Sequence, residues 1–198
     1  MEKDNISELY SIIDVETTGG KFNEEGITEI AVYKFDGNKI IDQFISLVNP
    51  EIPIQPFVQT LTGINDKMVK TAPKFYEIAK RILEITENTV LVAHNASFDY
   101  RMLNTEFNRL GYDFSIPQIC TLSLSKKLIP NQDSYKLGKL VKSLGIPLSN
   151  RHRASGDAKA TVELFKLLLN KDKNKEITSY LTKSKSKINE KIVNIIEN

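Results

Sequence analysis

Leu9-Tyr-Ser-Ile-Ile-Asp-Val-Glu-Thr-Thr-Gly-Gly20 is the stretch on which the fold turns. Leu9 to Ile13 is a short apolar run suited to a buried strand, and Asp14 with Thr17-Thr18-Gly19-Gly20 suits that strand opening into a loop. Asp14 and Glu16 are two apart, so on a regular strand both carboxylates share one face. Neighbouring carboxylates repel unless protons or cations are shared among them. Hard divalent ions such as Mg²⁺ or Mn²⁺ prefer oxygen ligands of this kind. An Asp-x-Glu pair alone is a weak signal, because acids at strand ends are common. Its weight depends on what the rest of the chain supplies.

Working outward, Ile27 to Phe35 and Lys39 to Val48 are rich in β-formers, and Asp36-Gly37-Asn38 between them is a tight-turn signal. They predict a hairpin after the first strand. Asn49-Pro50 and Pro53 then punctuate the chain before Phe57 to Leu61. Pro73 suits the first turn of a helix whose apolar positions are Phe75, Ile78, Ala79, Ile82 and Leu83. Thr89 to Ala93 reads as a second buried strand, leading through His94-Asn95 into a helix over Ser97 to Leu110 closed by Gly111. Gln118 to Thr121 suits a brief strand. Two helices split by Pro130 to Asp133 follow, the second capped by Ser134 and ended by Gly145. Ala154, Ala158, Thr161, Val162, Phe165, Leu168 and Leu169 mark a last core helix reaching about Asn170. Three strands followed by alternating helix and strand predict a mixed α/β sheet covered by helices.

Residues 1–170 are therefore expected to form one domain, and 171–198 a charged linker with a short amphipathic helix on Ile188, Ile192, Ile195 and Ile196. At 198 residues, 40% apolar and 26% charged, the composition is that of an ordinary globular protein able to build a core without staples. Cys120 is the only cysteine, which excludes an intrachain disulfide and fits a reducing cytoplasm. The start of the chain lacks a secretory pattern, and no apolar run approaches the roughly 20 residues that span a bilayer. No membrane role is expected. With a net charge of +2, any attraction to phosphate must be local, for example around Lys126, Lys127, Lys136, Lys139, Lys142, Arg151 and Arg153.

Two further segments carry acids at informative points. Ala93-His-Asn-Ala-Ser-Phe-Asp99 puts Asp99 in the first turn of its helix. There a carboxylate gains about 0.3–1 kcal/mol from the helix dipole and is also held rigidly. His152-Arg-Ala-Ser-Gly-Asp-Ala158 separates His152 from Asp157 by five positions, about 7.5 Å of rise if both were helical. Histidine suits a proton acceptor near neutral pH, and Gly156 beside Asp157 would ease the close approach of another strand. His94 fits either a satisfied buried imidazole or a substrate phosphate contact. Singly each element has a bland reading; together they suit a metal-dependent phosphodiesterase site.

Asp-Val-Glu-Thr-Thr-Gly, His-Asn-Ala-Ser-Phe-Asp and His-Arg-Ala-Ser-Gly-Asp-Ala resemble the three motifs of the DEDDh family of 3′→5′ exonucleases. That family includes the proofreading, epsilon-type subunits of bacterial replicative polymerases. The resemblance spans about residues 8–170, with Leu61-Thr-Gly-Ile64 as a further family-like segment. It implies a ribonuclease-H-like fold, a mixed five-stranded sheet flanked by helices. It also implies two divalent ions, Mg²⁺ or Mn²⁺, with Asp14, Glu16 and Asp157 on the first, Asp14 bridging to the second, and Asp99 acting on the second. By the same resemblance His152 takes a proton from the attacking water. Thr17, Thr18, Leu61, His94, Asn95 and Phe98 look like positions that cradle the terminal nucleotide.

The expected activity is hydrolysis of the terminal phosphodiester at a single-stranded 3′ end, with DNA favoured and nucleoside 5′-monophosphate released. The alternatives are an RNA 3′-end-trimming exoribonuclease and a non-catalytic nucleic-acid-binding subunit. A DNA polymerase or other replication or repair protein is the expected partner class. In some similar proteins such a domain precedes a second nuclease domain of the GIY-YIG type.

Overall fold

The computed structural model describes residues 9–22, 24–174 and 176–177. Its strands are β1 (Leu9–Thr17), β2 (Ile27–Phe35), β3 (Ile40–Leu47), β4 (Thr89–Ala93) and β5 (Gln118–Cys120). They form one sheet in the order β3-β2-β1-β4-β5. β1 to β3 are antiparallel neighbours, whereas β4 and β5 run parallel to β1. This is the mixed five-stranded sheet expected of the ribonuclease-H-like fold.

Strand alternation divides the core into two. On one face Tyr10 and Ile12 of β1 pack with Val90, Val92 and Ile119 against α5 (Thr121–Leu128), α6 (Leu137–Ser143) and α7 (Ala154–Lys171). On the other, Ile13 and Val15 pack with Leu91 and Ala93 against α3 (Phe75–Thr86) and α4 (Ala96–Arg109). Asp14 and Glu16 have the parity of Tyr10 and Ile12, so their carboxylates belong to the α7 face. β1 continues through both acids to Thr17, rather than opening into a loop at Asp14.

Several local expectations are corrected. Two short helices, α1 (Pro56–Thr62) and α2 (Asp66–Val69), occupy what the sequence left as punctuated chain. Pro56 starts α1, Gly63 ends it in the left-handed region at φ 71°, and Asn65 caps α2 through Met68 N–H. Pro73 lies outside α3, its carbonyl accepting from Asn49 N–H across a bridge to the end of the hairpin. Ser134 is two positions short of the α6 cap, Lys136, whose N–H it receives instead. Beyond α7 the chain folds back at once: Asp172 accepts from Glu176 N–H and Ile177 N–H, and Ile177 is buried in the α7-side core. The amphipathic segment from Ile188 to Ile196 lies outside the described residues.

Candidate active site

The two motifs that flank the sheet reach Asp14 from opposite faces. On the α7 side, carboxylate oxygens of Asp14, Glu16 and Asp157 lie within 4.8 Å of one another. From the other side Asp99, in the first turn of α4, accepts Val15 N–H at 3.2 Å. That bond ties α4 to the strand between the two β1 acids. β1 can offer the N–H because its pairing with β4 ends at Ile12 and Val92, before Val15.

The electrostatics are those of buried carboxylates crowded together. Burial, then Asp99, Glu16 and Asp157, hold the Asp14 carboxyl well above the ordinary carboxylate range. Burial pushes Asp99 up to about 8, against the pull of its Val15 bond. Burial and then Asp157 and Glu29 raise Glu16 to about 7, with Arg153 pulling the other way. Asp157 is raised by burial, opposed by the His152 N–H. Such a group of oxygen ligands, each disfavoured as a lone anion, fits a hard divalent cation.

His152 is not on α7. It sits before the helix in the left-handed region at φ 61°, and its backbone N–H donates to Asp157 Oδ2 at 3.0 Å. The helical-rise expectation therefore fails, but the loop brings His152 to Asp157 more tightly than a helix would. Asn150 is also left-handed, at φ 53°. The loop doubles back over Gly156, where any Cβ would collide with the carbonyl oxygens of Ser149 and Asn150. Gly156 thus accommodates the loop that holds His152, not a neighbouring strand.

Sequence reasoning missed Glu29. Buried in β2 opposite Glu16, it accepts two-point bonds from Arg153 (2.6 to 3.2 Å) and the Ala154 N–H at 2.8 Å. It thereby anchors the first residues of α7, and hence Asp157. The available signal was a charged residue inside the otherwise apolar run Ile27 to Phe35.

The expected nucleotide contacts divide. Leu61 and Asn95 are exposed, and Phe98 is half-buried in the first turn of α4. Thr17 accepts Gly19 N–H, and buried Thr18 closes the loop by bonding Gly26 N–H and Gly19 O. His94 is a satisfied imidazole. Its Nε2 donates to the Tyr135 carbonyl at 2.8 Å, and its Nδ1 lies 3.0 Å from the Thr121 hydroxyl, whose single proton is shared between that nitrogen and the Ala93 carbonyl at 3.2 Å. Burial lowers its pKa, consistent with a neutral ring. Both ring nitrogens have partners here, which is the satisfied imidazole of the two readings, and the ring links the Tyr135 segment to Thr121.

The exonuclease family pattern (RNase_T) matches residues 11–165. The chain belongs to the exonuclease family. It is 40% identical over 162 residues to a PolC-type DNA polymerase III of Caldanaerobacter subterraneus, covering 82% of this chain and 12% of that protein. It is 37% identical over 157 residues to a 3′-5′ exonuclease DinG of Staphylococcus haemolyticus, 79% of this chain and 17% of that protein. The chain thus spans under a fifth of the curated relatives it matches. Among solved structures, exonuclease X in complex with 5′ overhanging duplex DNA aligns with a TM-score of 0.68 at 30% identity, covering 82% of this chain and 92% of that one. The nuclease domain of 3′hExo, a DEDDh family member, shares the fold with a TM-score of 0.73 at 21% identity, covering 86% and 96%. The expected resemblance and fold are borne out. Among the described residues no helix is long and apolar enough to cross a membrane.

Proposed function

We propose that this chain hydrolyses the terminal phosphodiester at a single-stranded 3′ end, preferably of DNA, releasing nucleoside 5′-monophosphates. The supporting observation is the convergence of Asp14, Glu16 and Asp157 within 4.8 Å, with Asp99 bonded to the same strand. Two divalent ions, Mg²⁺ or Mn²⁺, are the cofactors this set suits. Asp14, Glu16 and Asp157 would hold one, and Asp14 with Asp99 the other. When bound, such ions polarise the scissile phosphate and stabilise charge on the departing oxygen. His152 takes the proton of the attacking water; its backbone is fixed by the Asp157 bond and by the turn over Gly156. Leu61, Asn95 and Phe98 remain as contacts for the terminal nucleotide, and Thr17 and Thr18 shape the loop beneath it.

The deciding experiment is digestion of matched 3′- and 5′-labelled DNA and RNA oligonucleotides with Mn²⁺. Stepwise loss from the 3′ end, faster on DNA, is expected. Faster loss from RNA selects an exoribonuclease, and binding without cleavage would end the catalytic reading. A replication or repair polymerase is the proposed partner and the cytoplasm the proposed location. The catalytic unit is proposed as residues 1–170 with 171–198 appended. Because Ile177 is buried, a chain ending at 177 should be more stable than one ending at 170 by about 1.5–3 kcal/mol, measured by urea unfolding. Equal stability would put residues 171–177 outside the folded unit.

A further inference from the structure

Large exposed apolar side chains gather around the loop that follows the carboxylates. Ile52 and Phe57 line a groove of about 640 Å³ with Gly19, Gly20 and Lys21. Leu61 follows Phe57 by one turn of α1, and Phe22 stands just past Lys21. Phe22 is 71% exposed yet held in place: the Arg101 guanidinium lies 4.5 Å from its ring centroid and 5.3 Å from that of Phe98. Arg101 is in turn fixed by bonds of 2.7 and 3.2 Å to the buried Glu25 carboxylate. Phe98, Arg101 and Phe22 therefore form a stack leading outward from the first turn of α4, where Asp99 sits. One face of Phe22 rests on Arg101, and its exposure leaves the other to solvent.

An exposed ring on a rigid cationic backing, continuous with a site for a nucleic-acid terminus, has the geometry of a base-stacking platform. The cationic backing of the ring and its continuity with the Asp99 end of α4 favour a nucleobase over a protein partner. We propose that Phe22 stacks on an unpaired nucleobase one or two nucleotides upstream of the 3′-terminal one, with Arg101 as the residue that positions it. This rests on the 3′-exonuclease reading, which seats the terminal nucleotide by Phe98.

The test uses single-stranded DNA carrying 2-aminopurine at successive positions from the 3′ end, bound to the Asp14→Ala chain so that no cleavage intervenes. Fluorescence at the second or third position should be quenched. Adding Phe22→Ala should remove that quenching, and adding Phe22→Trp should retain it. In the active chain Phe22→Ala should raise KM about tenfold, a larger change than in kcat. An abasic site at the quenched position should bring the unsubstituted chain to the same KM. Absence of quenching at every position, or an undiminished difference between the two chains on the abasic strand, would overturn the platform. A chain that digests 3′ ends normally with Phe22→Ala rejects the platform alone. A chain that cleaves no 3′ end rejects the exonuclease reading and the platform with it. Phe22 is exposed, so loss of folding does not confuse these outcomes.

Discussion

Glu16 and Glu29 stand opposite each other on β1 and β2, and the chain treats them in opposite ways. Glu29 is 2% exposed, but its counter-charge is built in: Arg153 grips both oxygens and Ala154 N–H adds a third donor. Glu16 has Asp14 and Asp157 for neighbours and is raised to about 7. Arg153 is near enough to temper that rise but is committed to Glu29. A buried acid that the chain pairs becomes a structural pin, whereas one left unpaired among other acids is poised for an external cation. The pin also holds the N-terminus of α7, so the structural carboxylate sets the position of Asp157, a proposed metal ligand.

The largest break in this comparison comes from removing the acid common to both proposed ions. Asp14→Ala should nearly abolish Mg²⁺-dependent cleavage of a 3′-labelled oligonucleotide, beyond the loss from any change at His152. Activity within tenfold of normal would mean that the cluster is not the reactive half of the pair. Next, His152→Ala should slow single-turnover cleavage by about 10²–10⁴-fold. It should leave Mn²⁺ affinity, read by titration calorimetry, nearly unchanged, since the Asp157 contact is made by the backbone. At φ 61° alanine adds strain that asparagine tolerates, so His152→Asn separates lost chemistry from a distorted loop. Recovery of activity in His152→Asn would assign the residue a conformational role only.

The structural half is broken at Glu29. Glu29→Ala leaves Arg153 unpaired, and removing one partner of a buried pair costs about 3–5 kcal/mol. With Arg153 35% exposed, a value near 3 kcal/mol is expected from urea unfolding. Cleavage should also fall, because α7 loses its anchor two residues before Ser155 and four before Asp157. Glu16→Gln should do the reverse in metal-free protein, leaving or raising stability while lowering activity. Equal destabilisation by the two substitutions would erase the distinction between them.

What was legible in the chain follows the range of the interactions involved. β1, β2, β3 and β4 and the helices α3, α4 and α7 follow from apolar spacing and local breakers, which sequence displays directly. α1 and α2, at seven and four residues, are too short for periodicity to emerge between Pro53 and Pro73. The five proposed catalytic positions could be named from motifs, but how they are held depends on distant contacts. The His94 partners, Thr121 and Tyr135, are 27 and 41 residues away, and the Glu29 anchor is 124 residues from Arg153. The His152 backbone turn was unreadable for another reason: a left-handed histidine is forced by Gly156 and the Asp157 bond, not by its own preference.

The smallest effect is on stability and sharpens the comparison without touching activity. Asp14, Glu16, Asp99 and Asp157 all have folded pKa values raised above those of the unfolded chain, near 4. Between about pH 4 and 8 the folded state therefore binds more protons, so stability falls as pH rises through this window. Asp36 and Asp42, lowered by backbone bonds and by Arg81, titrate below it and do not mask the trend. In chelator-treated protein the melting temperature should drop from pH 5 to pH 8. Mg²⁺ or Mn²⁺ should restore it, by more at pH 8 than at pH 5, because the cation replaces protons already lost. Asp14→Asn should flatten both the pH dependence and the metal response, as it removes the carboxyl that burial, Asp99, Glu16 and Asp157 together raise. Glu29 carries its own cation, so a metal response that survived Asp14→Asn but vanished with Glu29→Gln would reverse the roles assigned to the two carboxylate sites.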